Sequence, residues 1–321
     1  MKKLTIAALL AAAATAPAFA QSSLQVYGRL NVTAESQRVQ DDEREYVVAD
    51  NASRIGFKGT EDLGGGLKAG FQIEHGFDAT TGRQAGGAFW NRQAEVNLGS
   101  SQFGTLRLGS FTPESYFATA DYISLHNHDT GSSSDAFYVS TFTQANKVGY
   151  MSPVWGGFQF HASVAEGNAA VERTYDLAAN FDQGALHLGA GFEKQGDFKQ
   201  FAVRGLYEFG AFTVGGYVQR VSSYVKTYGD GTTRDLGSGT GFRISTMYTL
   251  RQHEFHANIG SAPEFDNEDK SDALQLTLAY NYNLSKRTKI HAFVTRIDRD
   301  DVLEVYGGNF DSFGLGVRHN F

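Results

Sequence analysis

The sequence predicts an all-β chain, a transmembrane antiparallel β-barrel of sixteen strands, and three observations carry that expectation. Gly (37), Phe (25) and Tyr (15) are abundant beside 4 Pro, and no long apolar segment follows the first twenty residues. Apolar and polar residues alternate in segments of about ten, separated by tight turns and longer polar loops in turn. The alternation also runs to the last residue, with Phe313, Leu315, Val317 and Phe321 on one face and Gly314, Gly316, Arg318 and Asn320 on the other. Alternate residues facing lipid and water keep such a chain polar on average.

The first element is MKKLTIAALLAAAATAPAFA: two lysines, an apolar run from Leu4 to Ala16, and Ala18-Phe19-Ala20 as a cleavage pattern. A spanning helix needs about 18 or more apolar residues. Residues 1–20 therefore read as a signal peptide and 21–321 as the barrel domain. No cysteine is present, so neither disulfides nor thiolate metal sites are expected. Without Lys2 and Lys3 the chain has 26 basic and 35 acidic residues, a balance that argues against nucleic acid.

The strands follow in order. Leu24 to Glu35 is the first, then the polar loop QRVQDDEREY, then Ser53 to Thr60 and Leu67 to Phe77 around the turn EDLGGG. Phe89 to Leu98 and Thr105 to Ser110 precede the longest irregular stretch. Lys147 to Met151, Phe158 to Ala165, Tyr175 to Phe181, Ala185 to Glu193, Gln200 to Phe209 and Phe212 to Val221 come next. After a loop at about Ser222 to Thr240, the last five are Gly241 to Leu250, Glu254 to Ser261, Ala273 to Leu284, Lys289 to Arg299 and Phe310 to Phe321. The even count places both termini and the short turns at the periplasmic side, and the longer loops outside. Tyr207, Phe209, Phe212, Tyr248, Tyr280 and Tyr282 near strand ends read as interface girdles.

The stretch 111–146 is the third external loop, and a structureless run of that length inside a compact fold is usually functional. It carries Glu114, Asp121, Asp129 and Asp135 and no Lys or Arg, and it is expected to fold into the barrel as a constriction. Asp121 is the foremost candidate, lying between Tyr116, Phe117 and Tyr122. Parity sends Arg29, Arg54, Lys58, Lys68, Arg107, Arg204, Arg243 and Arg318 inward, because an arginine facing lipid at the midplane costs roughly 2 to 4 kcal/mol. The expected constriction wall is Arg29, Arg54, Lys58 and Arg107, facing the loop acids. Arg92 shares the parity of Ala94, Val96 and Leu98, so lumen, rim, bulge and subunit contact all stay open for it.

His126 and His128 in LHNHD lack a third ligand fixed by sequence, so a metal site is not expected; partial protonation near pH 6 is the alternative role. The acidic clusters at Asp41 to Glu45, Asp266 to Asp269 and Asp298 to Asp301 are solvated loop charge, or bind divalent cations shared with lipopolysaccharide phosphates. No nucleophile motif accompanies the scattered histidines, so no catalytic residues, no enzyme and no cofactor are expected.

Several segments resemble general porins of the neisserial and betaproteobacterial type: LQVYGRLN, SRIGFKGTEDLGGGLKAGFQIEHGF, NRQAEVNLG, FGTLRLG and the ending GLGVRHNF, in the family's order. The resemblance implies a homotrimer of barrels in the Gram-negative outer membrane, among its lipid and lipopolysaccharide, each barrel a pore narrowed by its third loop. It also implies that Phe321 is part of the signal read by the barrel-assembly machinery, and it marks Arg92 as a typical family position. Gly109-Ser110, where relatives often have Gly-Arg, and LHNHD depart from the pattern. The function expected is general diffusion of small hydrophilic solutes and ions, the alternative a preference for small anionic organic solutes.

Overall fold

The computed structural model describes residues 23–126, 133, 135–168, 171–229, 231–299 and 308–321. The expected leader, 1–20, lies outside them. Strands β1 (Ser23–Val39), β2 (Glu45–Asp50), β3 (Arg54–Gly64), β4 (Leu67–Gly76), β5 (Gln93–Ser100) and β6 (Gly104–Ser110) precede the long loop. The loop holds one helix, α1 (Glu114–Ala118), and a 3-10 turn at Asp121–Ile123. Strands β7 (Lys147–Met151), β8 (Phe158–Ala165), β9 (Thr174–Gln183), β10 (Leu186–Gln195) and β11 (Phe198–Phe209) follow. The chain ends with β12 (Phe212–Thr227), β13 (Thr233–Leu250), β14 (His253–Phe265), β15 (Ala273–Asn283), β16 (Thr288–Arg299) and β17 (Phe310–Asn320).

From β3 onward each strand pairs antiparallel with the next, and β1 pairs with β17 over Arg29 to Val39, so the sheet closes on itself. Closure joins the first and last strands instead of leaving them as free edges, which lipid requires. Phe321 extends the ladder to the end of the chain, exchanging backbone hydrogen bonds with Gly28 at 3.1 and 3.2 Å. β2 and β3 lie in tandem on the same side of β1, at Val32 to Gln37 and Ser23 to Arg29. They form one interrupted stave, so the barrel has sixteen staves, as the alternation predicts.

Two elements differ from expectation. Part of the loop after the first strand is strand β2, in which Val47 and Val48 are adjacent rather than alternating. The loop predicted over Ser222 to Thr240 is shorter, because β12 and β13 continue past a register shift between Val221 and Tyr224 and pair out to Thr227 and Thr233.

The two faces of the wall have opposite chemistry. Exposed Val96, Leu98, Leu106, Leu108, Leu276 and Leu278 point outward. Asn31, Thr33, Glu35, Gln200, Gln219, Thr277 and Arg243 point inward and are buried. Outward rings also line the short-turn rim: Phe158 and Phe181 are 4.4 Å apart, Phe212 and Tyr248 4.5 Å, and Phe255 and Tyr280 5.3 Å. Such rings suit the level of lipid headgroups.

Candidate functional site

The loop after β6 packs against the inward face of β8 to β16, and its first contacts are polar. Asp176, on β9, accepts hydrogen bonds from the backbone N–H groups of Glu114 (2.7 Å) and Ser115 (3.1 Å). It thereby satisfies donors that the first turn of α1 leaves open. Glu114 pairs with Arg107, which also pairs with Glu95 at 2.7 Å, and His161 Nδ1 lies 3.3 Å from Glu114. Burial alone raises the Glu114 carboxyl, but the His161 hydrogen bond and the Arg107 charge outweigh it and hold the group below its ordinary value. Phe111 fills the corner, with Arg107 4.1 Å and Lys147 4.6 Å from its ring centre.

Glycine makes room for the helix. A Cβ on Gly191 would lie 2.7 Å from the Ser115 carbonyl oxygen, and one on Gly189 would collide with that of Ala118. Arg204 donates to the Ala118 carbonyl at 3.0 Å and lies 3.6 Å from the Tyr122 ring centre. The Tyr122 hydroxyl donates to Asp182 at 2.7 Å.

The second half of the loop is tied as firmly. Gln219 grips Val139 at two points, accepting from its N–H at 2.9 Å and donating to its carbonyl at 2.8 Å. Glu193 accepts from Ser140 Oγ at 2.6 Å and from the Thr141 N–H at 3.2 Å. Between these bonds Ala120, Ile123 and Tyr138 join Ala202, Leu206 and Tyr217 in one apolar cluster, and Phe137 joins Ala262, Ala273 and Ile297 in another.

His126 is buried at the wall, with Nε2 3.1 Å from Asn258 Nδ2 and its ring edge-on to His256 at 6.0 Å. Burial first, and then the coulombic influence of His256 and Arg243, pushes its pKa down to about 3. It is therefore neutral from pH 5 to 8 and does not titrate near pH 6. His128 and Asp129 lie outside the described residues.

The other side of the loop borders a cavity of about 540 Å³. Tyr116, Phe117, Asp121 and Asp135 line it from the loop, and Arg29, Arg54, Arg92 and Arg318 line it from the barrel. Tyr116 donates to Asp135 Oδ2 at 2.5 Å, and Ser133 donates to Oδ1. The break between β2 and β3 positions the opposite side. Ala52 has a left-handed backbone (φ 53°), and its carbonyl accepts from both Arg29 and Arg54 at 3.2 Å, while that of Asn51 accepts from Arg29 at 3.2 Å. Arg92 reaches the lumen from the segment before β5, held by Glu74 at 2.6 Å.

The predicted charges thus separate into two groups. Arg29, Arg54, Arg92, Asp121 and Asp135 meet around one cavity. Arg107 and Glu114 are engaged at the loop root, His126 is docked on the wall, and Lys58 is exposed with its Nζ 5.2 Å from the Tyr27 ring centre. Glu74 and Arg318 complete the cavity but were not among the predicted constriction residues. The available signal for Glu74 was its parity with Gln72, opposite the apolar positions Phe71 and Ile73.

A family model described as Gram-negative porin matches residues 7–302. Outer membrane porin protein 32 of Delftia acidovorans is 28% identical over the full length of both chains. Major outer membrane protein P.IB of Neisseria lactamica is 26% identical, over all of this chain and 90% of that protein. The solved structure of an anion-selective porin from Comamonas acidovorans superposes with a TM-score of 0.77 at 23% identity, covering 94% of this chain and all of the other.

Proposed function

The chain belongs to the Gram-negative porin family and is an outer-membrane β-barrel channel, and from that premise we propose that it is a general diffusion porin. Small hydrophilic solutes and ions pass by diffusion through a constriction between the docked loop and the β1–β3–β17 wall. The observation that carries this reading is the cavity in which Asp121 and Asp135 stand on one side and Arg29, Arg54, Arg92 and Arg318 on the other. Opposed charges make a field across the path, which orients dipolar solutes and disfavours apolar ones. The barrel works as a homotrimer, and Phe321, at the closing seam, is part of the signal read by the assembly machinery.

A second reading, a preference for small anionic organic solutes, has an observation of its own. Four arginines border the cavity against three carboxylates, Glu74, Asp121 and Asp135. Liposome swelling tests both. General diffusion predicts rates that fall with sugar size and show no saturation with dicarboxylates, whereas saturable, faster dicarboxylate entry supports the second reading. No swelling with any solute contradicts both.

A further inference from the structure

The outward face of β8 to β11 is furrowed. Ala179 and Ala190 are direct cross-strand partners, and Ala162 stands beside them opposite Leu177. Phe160 pairs with Ala179, and Phe192 and Phe201 are partners on the next strands. Small residues between large ones leave a furrow rather than a flush wall. It comprises two connected apolar hollows of about 340 and 510 Å³, which share Tyr150, Ala162, Leu177 and Phe192.

The furrow ends at a charge. Lys194 borders its upper hollow at the long-loop rim, between its cross-strand neighbours Tyr175 and Lys199. Both lysines are exposed, and neither takes part in an ion pair among the described residues. Like charges placed directly opposite on one sheet face repel. Arg220, whose partner on β11 is Phe201, lies one strand further on and is paired with Asp266 at 3.7 Å, so the lysine pair alone makes the charge site. An anion seated between the two ammonium groups relieves their repulsion, and the apolar furrow below them accepts a hydrocarbon chain. One ligand supplies both: a membrane lipid with a phosphate on its headgroup.

We propose that Lys194, Lys199 and the furrow over Ala179 and Ala190 form a binding site for a phosphorylated lipid of the outer leaflet. The phosphate lies between the lysines and one acyl chain lies along the alanines. The attraction of two lysines at a membrane surface for an anionic headgroup favours a phosphorylated lipid by about thirtyfold.

Native mass spectrometry of the full-length barrel in detergent, titrated with diphosphoryl lipid A and with its dephosphorylated form, tests the site. The expected result is about thirtyfold tighter binding of the phosphorylated lipid. That preference disappears in Lys194→Gln/Lys199→Gln and persists in Lys286→Gln at the short-turn rim. Ala179→Phe, which fills the furrow, weakens binding of both lipids. Equal binding of the two lipids by the unsubstituted barrel overturns the proposal without any variant. So does a preference that survives in the folded double variant, or undiminished binding to Ala179→Phe.

Discussion

Arg107 and Arg54 leave their strands with the same inward parity, yet one is buried between Glu95 and Glu114 and the other borders the cavity. The same contrast runs through the two sides of the barrel. On the β8–β16 side, inward polar groups are consumed in holding the loop: Asp176, Glu193, Arg204 and Gln219 each bond its backbone or its side chains. On the β1–β3–β17 side, backbone carbonyls and Glu74 hold the arginines, and their charge faces the cavity. Inward parity alone therefore does not place a residue on the cavity. What decides is whether a loop group reaches it.

The contrast breaks most severely at Asp176. Its carboxylate and Lys147 Nζ are 3.9 Å apart, with both side chains 2% exposed. Asp176→Ala leaves a buried lysine without its counter-charge and removes the cap of α1, at a cost of about 3–5 kcal/mol. The expected outcome is a lower midpoint for the heat-induced mobility shift of the barrel, with noisier single-channel current. Gly191→Val follows. Its side chain meets the Ser115 backbone and lifts α1, costing about 1–3 kcal/mol. Conductance should then rise while the barrel stays folded.

Acid tests the same docked face more gently. Docked His126 stays neutral down to about 3, whereas an undocked ring takes up a proton below its ordinary value of 6.5. Docking is thus unaffected above pH 6.5 and weakens as the pH falls from there toward 3, by at most about 1.4 kcal/mol per unit. Loop gating recorded in bilayers should be flat from pH 7 to 8 and become more frequent below 6.5. His126→Gln should flatten the acid limb.

Much of the fold was legible because lipid imposes period two on every strand: Val96 and Leu98 cannot share a face with Glu95 and Asn97. The loop's position and acidity were legible for the same reason, since what failed to alternate stood out. The fate of individual charges was not. Arg107 reads like Arg54 until Glu114, from a different segment, folds back onto it. Arg92 precedes β5, so strand parity does not govern it. The break at Asn51–Ser53, which aims Arg29 and Arg54, depends on a left-handed alanine that no local signal announces.

The central claim is that the Arg29–Arg54–Arg92–Arg318 wall and the Asp121–Asp135 loop face act as opposite poles of one constriction. Charges in a wet lumen interact by on the order of 1 kcal/mol, so each pole shifts the anion-to-cation permeability ratio by a few fold. The direct measurement is the reversal potential in a KCl gradient for Arg54→Gln/Arg92→Gln and for Asp121→Asn/Asp135→Asn. The account predicts opposite shifts, toward cations for the first and toward anions for the second. Unchanged potentials, or two shifts of the same sign, would contradict it.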